Sequence, residues 1–190
     1  MEAINATRPA SQSPVTDRER FTLLYDRHFH EILGYCARRV PAQTAHDAVS
    51  DIFLVVWRRI DDVPTDTERA WLFGVARGVL ANSRRSESRR DNLIAKLRTL
   101  RSPTAVEIDL DVVASTEGAL VRRALARLRA ADQEVLRLAA WEELNGPEMA
   151  IALDVSLSAV QQRLSRAKQR LAKALADEAT NEHRARGLRR

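Results

Sequence analysis

A single cysteine, Cys36, stands in 190 residues, which excludes a disulfide framework and a cysteine-based zinc site. Glycine and proline are scarce, at six each, and aromatic residues make up only 5%, too few for the turns and strands of a β-sandwich or barrel. No apolar run approaches the ~18 residues of a membrane span. No signal peptide precedes the first helical pattern, so a cytoplasmic protein without membrane insertion is expected. Lysine is nearly missing: only Lys96, Lys168 and Lys173 stand among the 31 bases. The others are arginines, whose planar forks suit phosphate and guanine. With a net charge of +5, the first partner implied is nucleic acid. What the chain has in quantity is Ala, Leu and Arg, the composition of helices, and 45% hydrophobic residues, enough to bury a core.

Residues 1–16 carry Pro9 and Pro14 without periodicity and read as a flexible tail. From Asp17, Phe21, Leu24, Phe29, Ile32, Leu33 and Cys36 recur at helical steps until Pro41. A second helix is predicted over about Thr44 to Ile60, with Val49, Ile52, Phe53, Val56, Trp57 and Ile60 as its apolar positions. A third is predicted from Glu68 through Arg85 and beyond, after a break at Pro64. Residues 91–117 carry three bases and five acids, include Pro103 and lose periodicity after Leu100, which reads as a flexible linker with a helical start. A second bundle begins near Gly118, with Leu120, Ala124, Leu125 and Leu128 on one stripe and Val135, Leu136, Leu138 and Ala139 on another. Asn145-Gly146-Pro147 reads as a helix stop followed by a proline suited to a first turn. The last helix carries Leu157, Val160, Leu164, Ala167, Leu171 and Leu175 on one face, and residues 177–190 read as a basic tail. The expected fold is all-α: two small helical domains, 17–90 and 118–176, on a tether that lets them move independently.

The segment Pro147 to Leu164 carries the most chemistry. Small Ala150 lets two helices approach, while Met149, Leu153, Val155, Val160 and Leu164 supply a shared core. Ser156 can cap the second helix. Ser158, Ala159, Gln161, Gln162 and Arg163 then fall on or near the exposed side of that helix's start, the part of a helix-turn-helix that enters the major groove. Gln suits adenine and Arg suits guanine. Arg166, Lys168, Arg170 and Lys173 follow as phosphate contacts. A helical hairpin with a solvated basic face is the plainer alternative. Asp154 stands where such turns often place glycine.

In the first bundle Asp47, Ser50, Asp51, Leu54 and Arg58 share a face of the second helix, and Arg77, Asn82, Arg84 and Arg85 lie along the third. Helix dipoles alone account for acids early and bases late. Taken together, however, the chain resembles a bacterial RNA polymerase sigma factor of the extracytoplasmic-function type, which has only regions 2 and 4. Ala45-His46-Asp47-Ala48-Val49-Ser50-Asp51-Ile52-Phe53-Leu54-Val55-Val56-Trp57-Arg58 is similar to the family's region 2.2 helix, and Ala70-Trp71-Leu72-Phe73-Gly74-Val75-Ala76-Arg77 to the start of its region 2.3–2.4 helix. Ala126-Arg127-Leu128 through Arg170-Leu171 resembles region 4. Gly74 and Gly78 stand where the family often has polar or basic residues.

The resemblance implies that Asp47, Ser50, Asp51, Leu54 and Arg58 meet the β′ clamp helices of core RNA polymerase. It implies that Pro64, Thr65, Asp66, Thr67, Trp71, Arg77, Asn82, Arg84 and Arg85 capture the −10 promoter element. Ser158, Ala159, Gln161, Gln162, Arg163, Arg166, Lys168 and Arg170 would read the −35 element, with region 4 also contacting the β flap. An anti-sigma factor would hold the protein inactive. Two other classes stay open: an autonomous helix-turn-helix repressor or activator with a sensor or dimerisation bundle, and an adaptor that binds only proteins. The basic last helix argues against the adaptor.

No glycine-rich phosphate loop or Ser/His/Asp order is visible, so catalysis by the chain itself is not expected and no cofactor is implied. His28 and His30 are two apart and point to different faces, which disfavours a metal site. Cys36 falls on the apolar side, and Trp57, Trp71 and Trp141 sit at core spacing, Trp71 also placed to stack on an unpaired base.

Overall fold

The computed structural model describes residues 16–97 and 116–187. The expected N-terminal tail, apart from Thr16, and most of the linker lie outside them. Thr16 starts α1 (Asp17–Ala37) with a capping box: its hydroxyl accepts from the Glu19 amide, and the Glu19 carboxylate accepts from the Thr16 amide. Leu24, His28, Ile32, Tyr35 and Cys36 face the interior from this helix. α2 (Ala42–Arg58) follows Pro41, buries Ala45, Val49, Ile52, Phe53 and Val56, and passes into a 3₁₀ turn at Ile60–Asp62. It thus begins and ends two residues earlier than the periodicity predicts, because Ile60 belongs to the turn.

α3 (Glu68–Leu97) supplies Leu72, Phe73, Ala76 and Leu80 to the core and closes a three-helix unit with α1 and α2. Its length carries the helix past residue 90, the boundary expected for the first domain. The second unit holds α4 (Thr116–Ala126), α5 (Ala130–Ala140), α6 (Gly146–Leu153) and α7 (Leu157–Gly187). α7 is its spine: α4, α5 and α6 all pack along it. Residues 177–187, set apart above as a tail, continue this helix.

The short helix expected over about Pro147 to Leu153 is α6, but Asn145-Gly146 belongs to its start and not to a preceding stop. Asn145 caps α6 by accepting from the Glu148 amide at 3.0 Å, and Pro147 sits in the first turn. The left-handed residue that ends the preceding segment is Glu143, with φ 51°. Gly146 has an ordinary backbone, and its value is space: a Cβ there would lie 3.0 Å from Leu157 Cδ1. Asp154 does adopt the left-handed conformation, at φ 54° and ψ 53°, and turns α6 into α7. Ser156 caps α7 by accepting from the Ala159 amide at 3.2 Å.

The two units pack against each other. α3 lies along α6, and the buried side chains of both units form one continuous cluster. At the seam the would-be Cβ of Gly74 is 3.5 Å from the Ala152 carbonyl oxygen, so α3 and α6 touch almost backbone to backbone. Packing of this kind is invisible to helical periodicity, because it links residues more than seventy positions apart.

Candidate promoter and polymerase interfaces

Asp47, Ser50, Asp51, Leu54 and Arg58 are all exposed along one side of α2. The Ser50 hydroxyl donates to the His46 carbonyl at 3.0 Å, while Leu54 stands 45% exposed. Trp57 does not enter the core as its spacing predicts. It is 44% exposed and packs edge-on to Phe21, with ring centroids 5.3 Å apart. Lying three residues after Leu54, it widens the charged stripe into an apolar and acidic patch. The sequence carried no signal for this, since Trp57 falls at core spacing.

The −10 candidates divide. Thr65 and Asp66 are exposed before α3, and Pro64 and Thr67 are half-buried. Trp71 is half-buried, with the Arg59 guanidinium 5.3 Å from its ring centroid. Asn82 and Arg85 face solvent, the latter donating to the Ala81 carbonyl at 3.2 Å. Arg77 and Arg84 are engaged internally. Arg77 donates to the carbonyls of Ala152 and Leu153 at 3.2 and 3.0 Å, across the seam in the second unit. Arg84 donates to the Arg39 carbonyl at 2.9 Å. A groove of about 570 Å³ runs between Arg59, Trp71, Gly74 and Asn82 on one wall and Ile151 and Asp154 on the other.

On α7, Ala159, Gln162, Arg163, Arg166 and Arg170 line a second groove of about 360 Å³, with Arg129 and Asp132 of the α5 start opposite. Ser158 is exposed at the mouth of the helix, its hydroxyl 3.1 Å from that of Ser156. At 100° per residue, Gln161 and Lys168 fall on a different side of α7 from Gln162 and Arg166. The eight candidates therefore do not form one surface. Arg170 is partly diverted: it pairs with buried Asp132 at 2.5 Å and so ties α7 to α5. Arg129 joins the arginine cluster without having been picked from the sequence, since it stands in another helix's cap.

Away from these faces the titratable groups are structural. His28 is 5% exposed, with Nδ1 3.4 Å from Glu31 and Nε2 3.2 Å from Glu68. The hydrogen bond to Glu31 raises its pKa above 6.5, against the lowering effect of burial. Burial would raise the carboxyl of Glu31, but His28 and Arg69 outweigh it and hold it below the usual value. Burial pushes the Cys36 thiol up to about 12, which leaves it unreactive. Among the described residues no helix is long and apolar enough to cross a membrane.

Comparison with known proteins gives these faces a setting. Residues 24–90 match the model of sigma-70 region 2, and residues 119–171 that of sigma-70 region 4. The chain is 30% identical over 161 residues to the RNA polymerase sigma factor NccH of Alcaligenes xylosoxydans xylosoxydans, covering 82% of this chain and 86% of the relative. It is 30% identical over 145 residues to the ECF RNA polymerase sigma factor SigL of Mycobacterium tuberculosis, covering 74% and 80%. Among solved structures, CnrH in complex with the cytosolic domain of CnrY aligns with TM-score 0.55 and 25% identity over 85% of this chain and 90% of that one. RpoE of Bartonella quintana, in complex with the anti-sigma factor NepR, aligns with TM-score 0.61 at 20% identity over 82% and 96%, which speaks to the fold. With both regions matched in order, the repressor and adaptor alternatives fall away, and the chain belongs to the sigma-70 family of RNA polymerase sigma factors, in its extracytoplasmic-function group.

Proposed function

We propose that the two units of this sigma factor divide promoter selection between them, residues 17–90 serving polymerase attachment and the −10 element and residues 118–176 the −35 element. The chain directs transcription initiation as its family does. The finer assignment rests above all on one observation: α2 presents Asp47, Ser50, Asp51, Leu54 and Arg58 together on an unobstructed face. Acidic groups around an apolar centre suit a protein surface with basic and apolar groups better than they suit DNA, and the β′ clamp helices are the partner that the family resemblance implies for this helix. Trp57 extends that centre.

On α7, Gln162 and Arg163 sit where a major-groove reader needs bidentate side chains, with Arg166 and Arg129 placed for flanking phosphates. Trp71 and the loop from Pro64 to Thr67 suit unstacked bases of a separated strand. The catalytic step belongs to the polymerase, and the working location is the cytoplasm beside it. CnrH and RpoE were each solved with a bound protein, in the second case an anti-sigma factor. We assign this chain a regulator of the same kind.

Run-off transcription with purified core enzyme tests the whole reading, and absence of any start site would refute it. Co-purification tests the attachment surface. Replacing Asp47→Arg and Asp51→Arg together should abolish capture of core enzyme, whereas undiminished capture would displace the site from α2.

A further inference from the structure

The loop from Pro64 to Thr67 is fastened at both of its ends, and both fastenings come from α1. At the near end Val63 is 3% exposed, and its carbonyl accepts from the guanidinium of Arg20. At the far end Glu68, the first residue of α3, accepts from Arg27 and from Nε2 of His28 at 3.2 Å. Arg20 and Arg27 stand seven positions apart, two helical turns or about 10 Å along one side of α1. Between the fastenings Thr65 and Asp66 are exposed. A short loop holds a base in a fixed pose only when a rigid element fixes its ends, and a 21-residue helix is such an element.

His28 differs from the two arginines in its burial. Arg27 is exposed, and an exposed ion pair contributes little, so the buried imidazole carries the far fastening. Its two ring nitrogens meet carboxylates on different helices, Nδ1 that of Glu31 on α1 at 3.4 Å and Nε2 that of Glu68 on α3. Only the imidazolium donates from both nitrogens; a neutral ring turns one lone pair toward a carboxylate. Glu31 keeps a second donor, Arg69 Nε at 2.7 Å, whereas Glu68 is left with Arg27. Proton loss is therefore felt at the α3 end. The charged groups around the ring are Arg27 and Glu31 from α1 and Glu68 and Arg69 from α3, with Glu148 of α6 paired to Arg69 at 3.7 Å. Among the described residues no charged group of α2 pairs with it. The hydrogen bond to Glu31, joined by that to Glu68, holds the pKa of His28 above 6.5 against burial.

We propose that His28 is a positioning residue for promoter recognition: charged, it ties α1 to the first residue of α3 and, with Arg20 at Val63, sets the pose in which the 64–67 loop meets the −10 element. This rests on the assignment of that loop to the −10 strand. When the proton leaves, the loop loses one of its two supports, and selectivity at the −10 element falls. Attachment through the exposed face of α2 and reading of the −35 element by α7 do not depend on it.

Run-off transcription with core enzyme on a promoter panel reads this directly. Discrimination is scored as output from the unsubstituted promoter over output from each base substitution, so the polymerase's own pH response cancels. In the parent, discrimination at the −10 position read by the loop should fall about fivefold from pH 6.5 to pH 8.5, most of what one base pair contributes. The −35 ratios should stay constant. His28→Gln, which cannot carry the charge, should show the low −10 value at both pH values. Arg20→Gln, which frees the other end, should lower −10 discrimination and keep the pH slope. A parent without the slope, a His28→Gln variant that retains it, or an Arg20→Gln variant with the parent's discrimination overturns the proposal. A loss shared by the −35 ratios or by capture of core enzyme does the same, since it makes His28 a residue of the general core. Should circular dichroism show His28→Gln unfolded, the parent's slope and Arg20→Gln decide between them. Thr65→Ala and Asp66→Ala test the underlying assignment separately: if neither alters any −10 ratio, the loop does not read that element, whatever His28 does.

Discussion

At the scale of single residues, buried charge decides behaviour more than surface charge does. His28 bridges Glu31 and Glu68 and has a raised pKa. Its protonated form is therefore favoured by folding. The stability it confers is complete below 6.5, its unfolded value, and is lost as pH climbs through the raised folded value. Glu31 and Glu68 have lowered values, so their contribution is present above 4.5 and fails as pH falls through the folded ones. Thermal melts should thus show higher stability at pH 6 than at pH 8.5, and His28→Gln should flatten that difference. An unchanged slope would place the titration elsewhere. Arg170 makes a second case. Its pairing with Asp132 predicts that Arg170→Ala lowers stability by about 1 kcal/mol in urea titrations and leaves −35 sequence preference intact. A shifted preference in a promoter panel would return it to the reading surface.

At the scale of elements, caps and periodicity carried most of the fold, and α7 shows both the strength and the limit of that reading. Val160, Ala167 and Leu171 mark its inner face at helical spacing, and Ser156 marks its start. Which exposed residues act together was not legible, because adjacent Gln161 and Gln162 differ only by a rotation that the packing against α5 fixes. Gln162→Ala and Arg163→Ala should each cost about 1–3 kcal/mol of discrimination at one −35 position, measured by run-off on a promoter panel. Gln161→Ala and Lys168→Ala should change specificity little. Equal effects from all four would mean that α7 sits differently in the groove. In the α6–α7 turn, Asp154 holds a left-handed backbone that glycine adopts freely. Asp154→Gly should therefore raise stability by about 0.5–1 kcal/mol, read from the urea midpoint. A loss there would mean that the Asp side chain has a role of its own.

At the scale of the whole molecule, the sequence shows two bundles and hides their union. Arginines at 38, 39, 77 and 84 announce anionic partners, yet a guanidinium serves a carboxylate or a backbone carbonyl as readily as a phosphate. Only long-range packing decides between them: Arg39 reaches Glu134 across 95 positions and Arg77 reaches Leu153 across 76. With one continuous core, calorimetry of the free chain should give a single unfolding transition, and Glu142→Lys, which sets a cation against Arg38 and Arg39 across the seam, should resolve it into two. Two transitions in the parent would show that the seam contributes no cooperativity.

Arg77 has a single guanidinium, and across the seam it is committed to the carbonyls of Ala152 and Leu153. Under the −10 role proposed for it, that commitment and a contact with a melted strand exclude each other, so the tightness of the α3–α6 packing and the grip on DNA trade off through one side chain.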